Sequence, residues 1–246
     1  IVDNRKNEYS FLTPKQVKHI CNRNFGVGAD GLMLLGNKIG YDFEMIYYNS
    51  DGNLSSMCGN GGRCLVKFAY HRGIVRSSYH FMAVDGEHTA EIDGDGTVSL
   101  QMQNVDAVDY HNTYAIINTG SPHFVKFATE VKDIDVVTTG QEIRYSKEFV
   151  QQGINVNFVE STGEDSIFVR TYERGVENET LSCGTGVTAA ALLSAHNEKG
   201  FNTVRVTTLG GNLSVEFNKI DDQHFDDIWL CGPAELVFTG TIELDS

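Results

Sequence analysis

Leu181-Ser182-Cys183-Gly184-Thr185-Gly186 and Ser56-Met57-Cys58-Gly59-Asn60-Gly61 are the two stretches that decide the fold, because the same unit is built around each of them. Upstream of the first cysteine, Phe43-Glu44-Met45-Ile46-Tyr47-Tyr48 reads as a strand that runs through a polar, glycine-containing loop into the Cys-Gly-x-Gly motif. Upstream of the second, Ile167-Phe168-Val169-Arg170-Thr171-Tyr172 does the same. Downstream of Cys58, Cys64, Leu65, Phe68 and Ala69 form an apolar stripe at helical spacing, which Gly73 stops. Val187 to Ala195 is apolar nearly all round, the signature of a helix buried on every side. Alternating strands follow in both copies, Ser78 to Ala83 and Thr97 to Met102, then Thr203 to Thr208 and Leu213 to Phe217. The cysteines stand 125 residues apart, about half the chain, so the sequence predicts two similar halves that meet at a cleft.

Bulk properties exclude several classes of function. At 246 residues, 41% hydrophobic and 21% charged with three prolines, the chain is an ordinary globular protein of two domains. A net charge of −14 argues against nucleic acid and anionic membranes, which demand clustered Lys and Arg. No apolar run approaches the length of a membrane span, and Ile1-Val2-Asp3-Asn4-Arg5 lacks a signal-peptide pattern, so a cytoplasmic protein is expected. Five cysteines at irregular spacing in a chain this large do not suggest a disulfide framework, and no paired ligand spacing suggests zinc.

The placement of Cys58 and Cys183 at helix N-termini carries the chemistry. There the unpaired N–H groups and the positive end of the helix dipole favour a thiolate and bind carboxylates. Cysteines in such settings titrate at roughly 3.5–7.5 rather than about 8.5. Inverting a stereocentre needs a base on one face of the carbon and an acid on the other, and one thiolate with one thiol supplies both. Converging N–H groups stabilise charge that develops on a substrate carboxylate. Neither a metal nor an organic cofactor is required. Cys21, Cys64 and Cys231 lack this context and read as buried, inert thiols.

At these residues the sequence resembles the diaminopimelate epimerase family along essentially its whole length. The resemblance is carried by Asn49-Ser50-Asp51-Gly52, Met57-Cys58-Gly59-Asn60-Gly61-Gly62-Arg63-Cys64, Gly120-Ser121-Pro122-His123, Asn155-Val156-Asn157-Phe158, Tyr172-Glu173-Arg174-Gly175 and the Cys183 motif. It implies interconversion of LL- and meso-2,6-diaminopimelate in lysine biosynthesis, with Cys58 and Cys183 exchanging the alpha proton and His123 and Glu173 as their polar partners. Gly59, Asn60, Gly184 and Thr185 would hold the reacting carboxylate, Glu173 the reacting ammonium, and Arg174, Asn155 and Asn49 the distal end. Ser121 stands where many members have Asn, and Gly31 where some have Gln, both bearing on distal recognition. The chain begins at Ile1-Val2-Asp3-Asn4, where members have a preceding strand and a Gly-Asn-Asp-Phe loop that contacts substrate.

The resemblance also implies the architecture: an α+β fold of two pseudo-symmetric domains, each a mixed, mostly antiparallel β-sheet wrapped round a central α-helix. Residues 1–112 with 235–246 would carry Cys58, and 113–234 would carry Cys183, with a last strand from Glu235 to Leu244 returning to the first sheet. A homodimer is the family expectation. Two rivals are a racemase of another amino acid on the same scaffold and a non-catalytic binding protein with structural cysteines. Asn60 argues against proline racemase, which resembles this scaffold but typically has His there. Taken alone, His123 reads as a structural histidine after a turn, Glu173 and Arg174 as a surface ion pair, and Asn49 and Asn155 as loop caps.

Overall fold

The computed structural model describes residues 1–55 and 57–244. They form two compact units, Ile1–Leu100 with the stretch from Pro233 onward, and Gln101–Gly232. The segment after Leu100 belongs to the second unit because Val105 and Val108 are buried in its core and Val105 exchanges both backbone hydrogen bonds with Phe225.

In the first unit the order is β1 (Val2–Asp3), α1 (Pro14–Cys21), β2 (Gly31–Gly36), β3 (Phe43–Asn49), β4 (Leu54–Ser55), α2 (Gly59–His71), β5 (Ser78–Ala83), β6 (Gly86–Ile92) and β7 (Val98–Gln101). Strand β2 pairs parallel with β1 and antiparallel with β3, β4 adds antiparallel to β3, and β5 lies parallel to β3 before the β5–β6–β7 meander. The second unit opens with β8 (Val108–Tyr110) and β9 (Ala115–Asn118). It then runs β10 (Pro122–Phe127), α3 (Val136–Arg144), β11 (Asn155–Gly163), β12 (Ser166–Glu173), β13 (Asn178–Thr180), α4 (Gly184–Leu192), β14 (Gly200–Thr208), β15 (Gly211–Lys219) and β16 (Phe225–Gly232).

From β10 onward the pairing rules repeat those of the first unit strand for strand. Parallel β10–β11, antiparallel β11–β12, the short β13 on β12, parallel β12–β14 and the β14–β15–β16 meander match their counterparts in order and sense. The duplication is therefore larger than the sequence suggests, since it also includes α1 and α3 and the strands before them. Those outer parts share no motif, only order and pairing sense, with two residues in β1 where β10 has six, so similarity of side chains could not reveal them.

Period-two alternation explains how each sheet takes a helix on both faces. On β11 and β12, Val156, Phe158, Phe168 and Tyr172 pack with Val136 of α3. The interleaved Val159, Ile167 and Val169 join Val187, Ala189, Ala190, Ala191 and Leu192 of α4 in a separate cluster. Every residue of α4 from Gly186 to Leu192 is buried, as its lack of a polar face requires, and the one hydroxyl among them, Thr188, donates to Gly184 O at 3.0 Å. In the first unit α1 buries Val17, Ile20 and Cys21 against Leu32 and Leu34, while α2 packs on β2 and β6.

One expectation fails. Glu235 to Leu244 forms no strand. Most of its apolar residues lie in solvent, with Val237 89% and Phe238 65% exposed, although the stretch does return to the first unit, where Leu244 packs against the Val17, Ile20 and Leu32 cluster.

Candidate active site

The two kinds of helix in this fold begin differently. Helix α1 is closed by a capping box, in which Thr13 Oγ1 accepts from Gln16 N–H and the Gln16 side chain accepts from Thr13 N–H, and α3 is closed by the Asp135 carboxylate. Helices α2 and α4 instead have Cys58 and Cys183 at the N-cap, and neither thiol makes a capping hydrogen bond. Both cysteines thus sit at the positive end of a helix whose N-cap side chain leaves the first-turn N–H groups to other partners, as the sequence predicts.

The second glycine of each motif is set by packing. A Cβ on Gly186 would collide with Asn157 Oδ1, and one on Gly61 would meet Met33 Sδ at 3.0 Å. Met33 is the third residue of β2 and Asn157 the third of β11, so both glycines let a helix start close against the same place in each sheet. A Cβ on Gly31 would collide with the Tyr47 ring and come within 2.6 Å of Tyr48 O, so this position is glycine for packing too.

Candidate residues gather at the same rim in both units. Gly31 and Asn155 open β2 and β11; Asn49 and Glu173 close β3 and β12. Gly31 is the register partner of Asn49. In the first unit this rim adjoins the turn in which Asn49 N–H donates to Asn53 O, and Asn60 in the first turn of α2 accepts from Arg63 Nη2 at 2.8 Å. Arg63 is 4% exposed and also donates to Gly59 O, placing a buried cation beneath the Cys58 loop.

In the second unit the candidates Ser121, His123, Asn155, Cys183 and Thr185 share one hydrogen-bonded network. Gly120 turns the chain at φ +110°, and Thr119 Oγ1 donates to Thr185 O at 2.8 Å, tying the turn before β10 to the start of α4. Ser121 Oγ lies 3.0 Å from His123 Nε2, 3.1 Å from Thr185 Oγ1 and 3.1 Å from Asn155 Nδ2. Thr185 Oγ1 is 3.5 Å from Cys183 Sγ. His123 is fully buried, and burial with the nearby Arg174 charge lowers its pKa to about 3, so the ring is neutral at physiological pH. It reaches Cys183 through two hydroxyls.

Glu173 accepts from Thr180 Oγ1 at 2.9 Å, and burial raises its pKa against the opposing effect of that bond. Arg174 N–H donates to Asn155 Oδ1 at 2.9 Å, while its guanidinium donates to Gln152 O at 2.9 Å. No ion pair joins Glu173 to Arg174 among the described residues. The remaining thiols fit an inert role. Burial pushes the Cys21 and Cys64 thiols up, and Cys231 Sγ points to Trp229 O. None of the five cysteines, all of them among the described residues, is in a disulfide.

Two residues of the site went unread in the sequence, Asn157 and Arg63. Asn157 stands two places after Asn155 and so shares its face of β11, a signal the motif Asn155-Val156-Asn157 already carried. Arg63 left no such signal, since an arginine in a helix is ordinarily solvated. No three His, Cys, Asp or Glu side chains among the described residues converge as a metal site would require. No helix of the described residues is long and apolar enough to cross a membrane.

The family described as diaminopimelate epimerase matches residues 1–108 and 115–237. A diaminopimelate epimerase of Flavobacterium psychrophilum is 48% identical over 98% of this chain and 94% of its own length. One from Chlorobaculum tepidum is 41% identical over 99% of this chain and 96% of its own. Among solved structures, a phenazine biosynthesis protein of the PhzF family from Bacillus anthracis superposes with a TM-score of 0.68 at 14% identity, covering 94% of this chain and 89% of that one. A hydroxyproline epimerase from Agrobacterium vitis gives 0.58 at 14% identity, covering 89% and 77%. These distant likenesses show the fold.

Proposed function

The chain belongs to the diaminopimelate epimerase family, and on that premise we propose that it interconverts LL- and meso-2,6-diaminopimelate by moving the alpha proton between two thiols. The observation that carries this reading is the cysteine at the N-cap of both α2 and α4, neither making a capping hydrogen bond, within a near full-length match to the family.

One thiol, as thiolate, removes the proton from one face of the alpha carbon, and the other, as thiol, returns a proton to the opposite face. As the carbon loses its proton, charge builds on the substrate carboxylate. The first-turn N–H groups of Gly59 and Asn60 and of Gly184 and Thr185 receive that charge, each set backed by its helix dipole. Glu173 takes the ammonium on the reacting carbon. Burial alone favours its neutral form, and an arriving cation restores the carboxylate. Asn49, Asn155 and Arg174 recognise the distal amino-acid end, where a guanidinium suits a carboxylate and amides suit a group that both donates and accepts. The role extends to lysine and cell-wall precursor synthesis in the cytoplasm, by a homodimer.

The test is exchange of the alpha hydrogen in heavy water, followed by proton NMR over a panel of diaminopimelate isomers, proline, hydroxyproline and simple amino acids. Rapid loss of the alpha signal is expected for diaminopimelate, with the others at least 100-fold slower. Preferred exchange of a substrate lacking the second amino-acid end would overturn the assignment.

A further inference from the structure

From Thr171 to Thr185, the hydrogen bonds that lead toward Cys183 have fixed directions. Asn157, fully buried, accepts from Thr171 Oγ1 at 2.9 Å through Oδ1 and donates to Phe124 O at 3.1 Å through Nδ2, which settles which end of the amide is which. The same Nδ2 lies 3.1 Å from His123 Nδ1, so that nitrogen accepts. In a neutral ring the proton is then on Nε2, which donates to Ser121 Oγ at 3.0 Å. Asn155 is oriented in the same way, its Oδ1 taking the Arg174 N–H and its Nδ2 donating to Pro122 O, so Nδ2 also donates to Ser121 Oγ. With two donors on its oxygen, Ser121 turns its own proton to Thr185 Oγ1 at 3.1 Å. Thr185 Oγ1 and Cys183 Sγ are 3.5 Å apart and either can donate; with Ser121 already donating to the Thr185 oxygen, the Thr185 proton is free to turn to the sulfur when the sulfur is ionised.

The first unit, with the same topology, is furnished differently. Met33 holds the place of Asn157, and Asn60 holds the place of Thr185 in the motif, its Oδ1 accepting from Arg63. A thiol sulfur is a poor acceptor and a thiolate a strong one, so a donor locked onto sulfur selects the ionised form.

The geometry points to a one-way hydroxyl relay, Ser121 to Thr185, oriented by Asn157 through His123 and by Asn155, that delivers a hydrogen bond to Cys183 Sγ and makes Cys183 the thiolate of the resting protein. This deepens the two-thiol reading and rests on it for its meaning in catalysis. Ser121, Asn157 and His123 are then positioning residues, acting through Thr185. The resting protein reacts first with the isomer whose alpha hydrogen is presented to Cys183, and Cys58 holds its proton until that hydrogen has moved. The titratable or charged groups of this unit nearest the network are His123 on β10, and Glu173 and Arg174 at the end of β12; the helix α4 itself bears none.

The relay is tested on the full chain without substrate, by the rate at which iodoacetamide labels each cysteine from pH 5 to 10, read by peptide mass spectrometry. Thr185→Val removes the hydroxyl and keeps the shape. On the acid limb of its profile the labelling rate of Cys183 should fall about tenfold, the effect of losing one hydrogen bond to a charged group, so that the midpoint moves up by about one pH unit. Thr185→Ser should restore the parent profile, Ser121→Ala should shift Cys183 in the same sense by less, and the Cys58 profile should stay in place throughout. A Cys183 profile unmoved by Thr185→Val overturns the relay. Alpha-hydrogen exchange on diaminopimelate is measured in parallel. If exchange persists while the labelling profile is unmoved, the relay fails and the two-thiol reading stands; if labelling shifts in a protein that exchanges no amino acid, the relay stands and the epimerase reading fails.

Discussion

His123 shows what a residue type alone conceals. A histidine after a Gly-Ser-Pro turn in a chain of this family suggests a polar partner for a thiol, and full burial with a pKa lowered to about 3 makes it a neutral link whose two nitrogens are both committed. Linkage fixes the sign of its effect on stability. Because the folded pKa lies below the ordinary 6.5, its contribution is fully present above pH 6.5 and is lost as pH falls toward 3. The whole shift corresponds to about 5 kcal/mol. Between pH 7 and pH 4 the unfolding free energy of the parent, from urea titrations, should therefore fall by about 3 kcal/mol more than that of His123→Asn. Parallel pH dependence in the two proteins would contradict a neutral buried ring. That His123 stands out was legible in the sequence, but its charge state was not, since that depends on Asn157 and Arg174 arriving from β11 and from the end of β12.

Helices and strands carry the division of labour between stability and chemistry. Helices α1 and α3 have ordinary polar caps and lie against one face of each sheet; α2 and α4 replace the cap with cysteine and lie against the other. Both cysteine-led helices and the strands that lead into them were readable from periodicity, because a glycine-rich loop between a two-residue and a 3.6-residue pattern leaves a sharp mark. The close approach of helix to strand was not. Glycines in such a motif suggest room for a ligand, and Gly186 in fact gives room to Asn157 Oδ1. Gly186→Ala is expected to cost roughly 1–3 kcal/mol by overpacking and to displace the Asn157 amide. Thermal unfolding should show a lowered midpoint, and Cys183 should lose reactivity toward iodoacetamide at pH 7. A variant with parent stability and parent labelling would show that the space is not filled as described.

Over the whole molecule, a duplicated unit has been kept in topology and altered in side chains. The repeat was visible in the sequence around the two Cys-Gly-x-Gly loops, and invisible where only order and pairing sense are shared, from β1 through α1 and from β10 through α3. The C-terminal stretch misled, since its apolar residues resemble a strand but are largely exposed. Duplication matters to the reaction because inversion at a stereocentre requires the same chemical group twice, once for each face, and differs from simple repetition in needing one copy ionised and the other protonated. The furnishing of the two loops, hydroxyls around Cys183 and an amide with a buried guanidinium around Cys58, supplies such a difference. The most direct test is alpha-hydrogen exchange and epimerisation of LL-diaminopimelate in heavy water by Cys58→Ser and Cys183→Ser, each shown by circular dichroism to be folded. Loss of epimerisation by at least 100-fold in both single variants is the predicted result; a folded variant of either kind that still epimerises at the parent rate would contradict it.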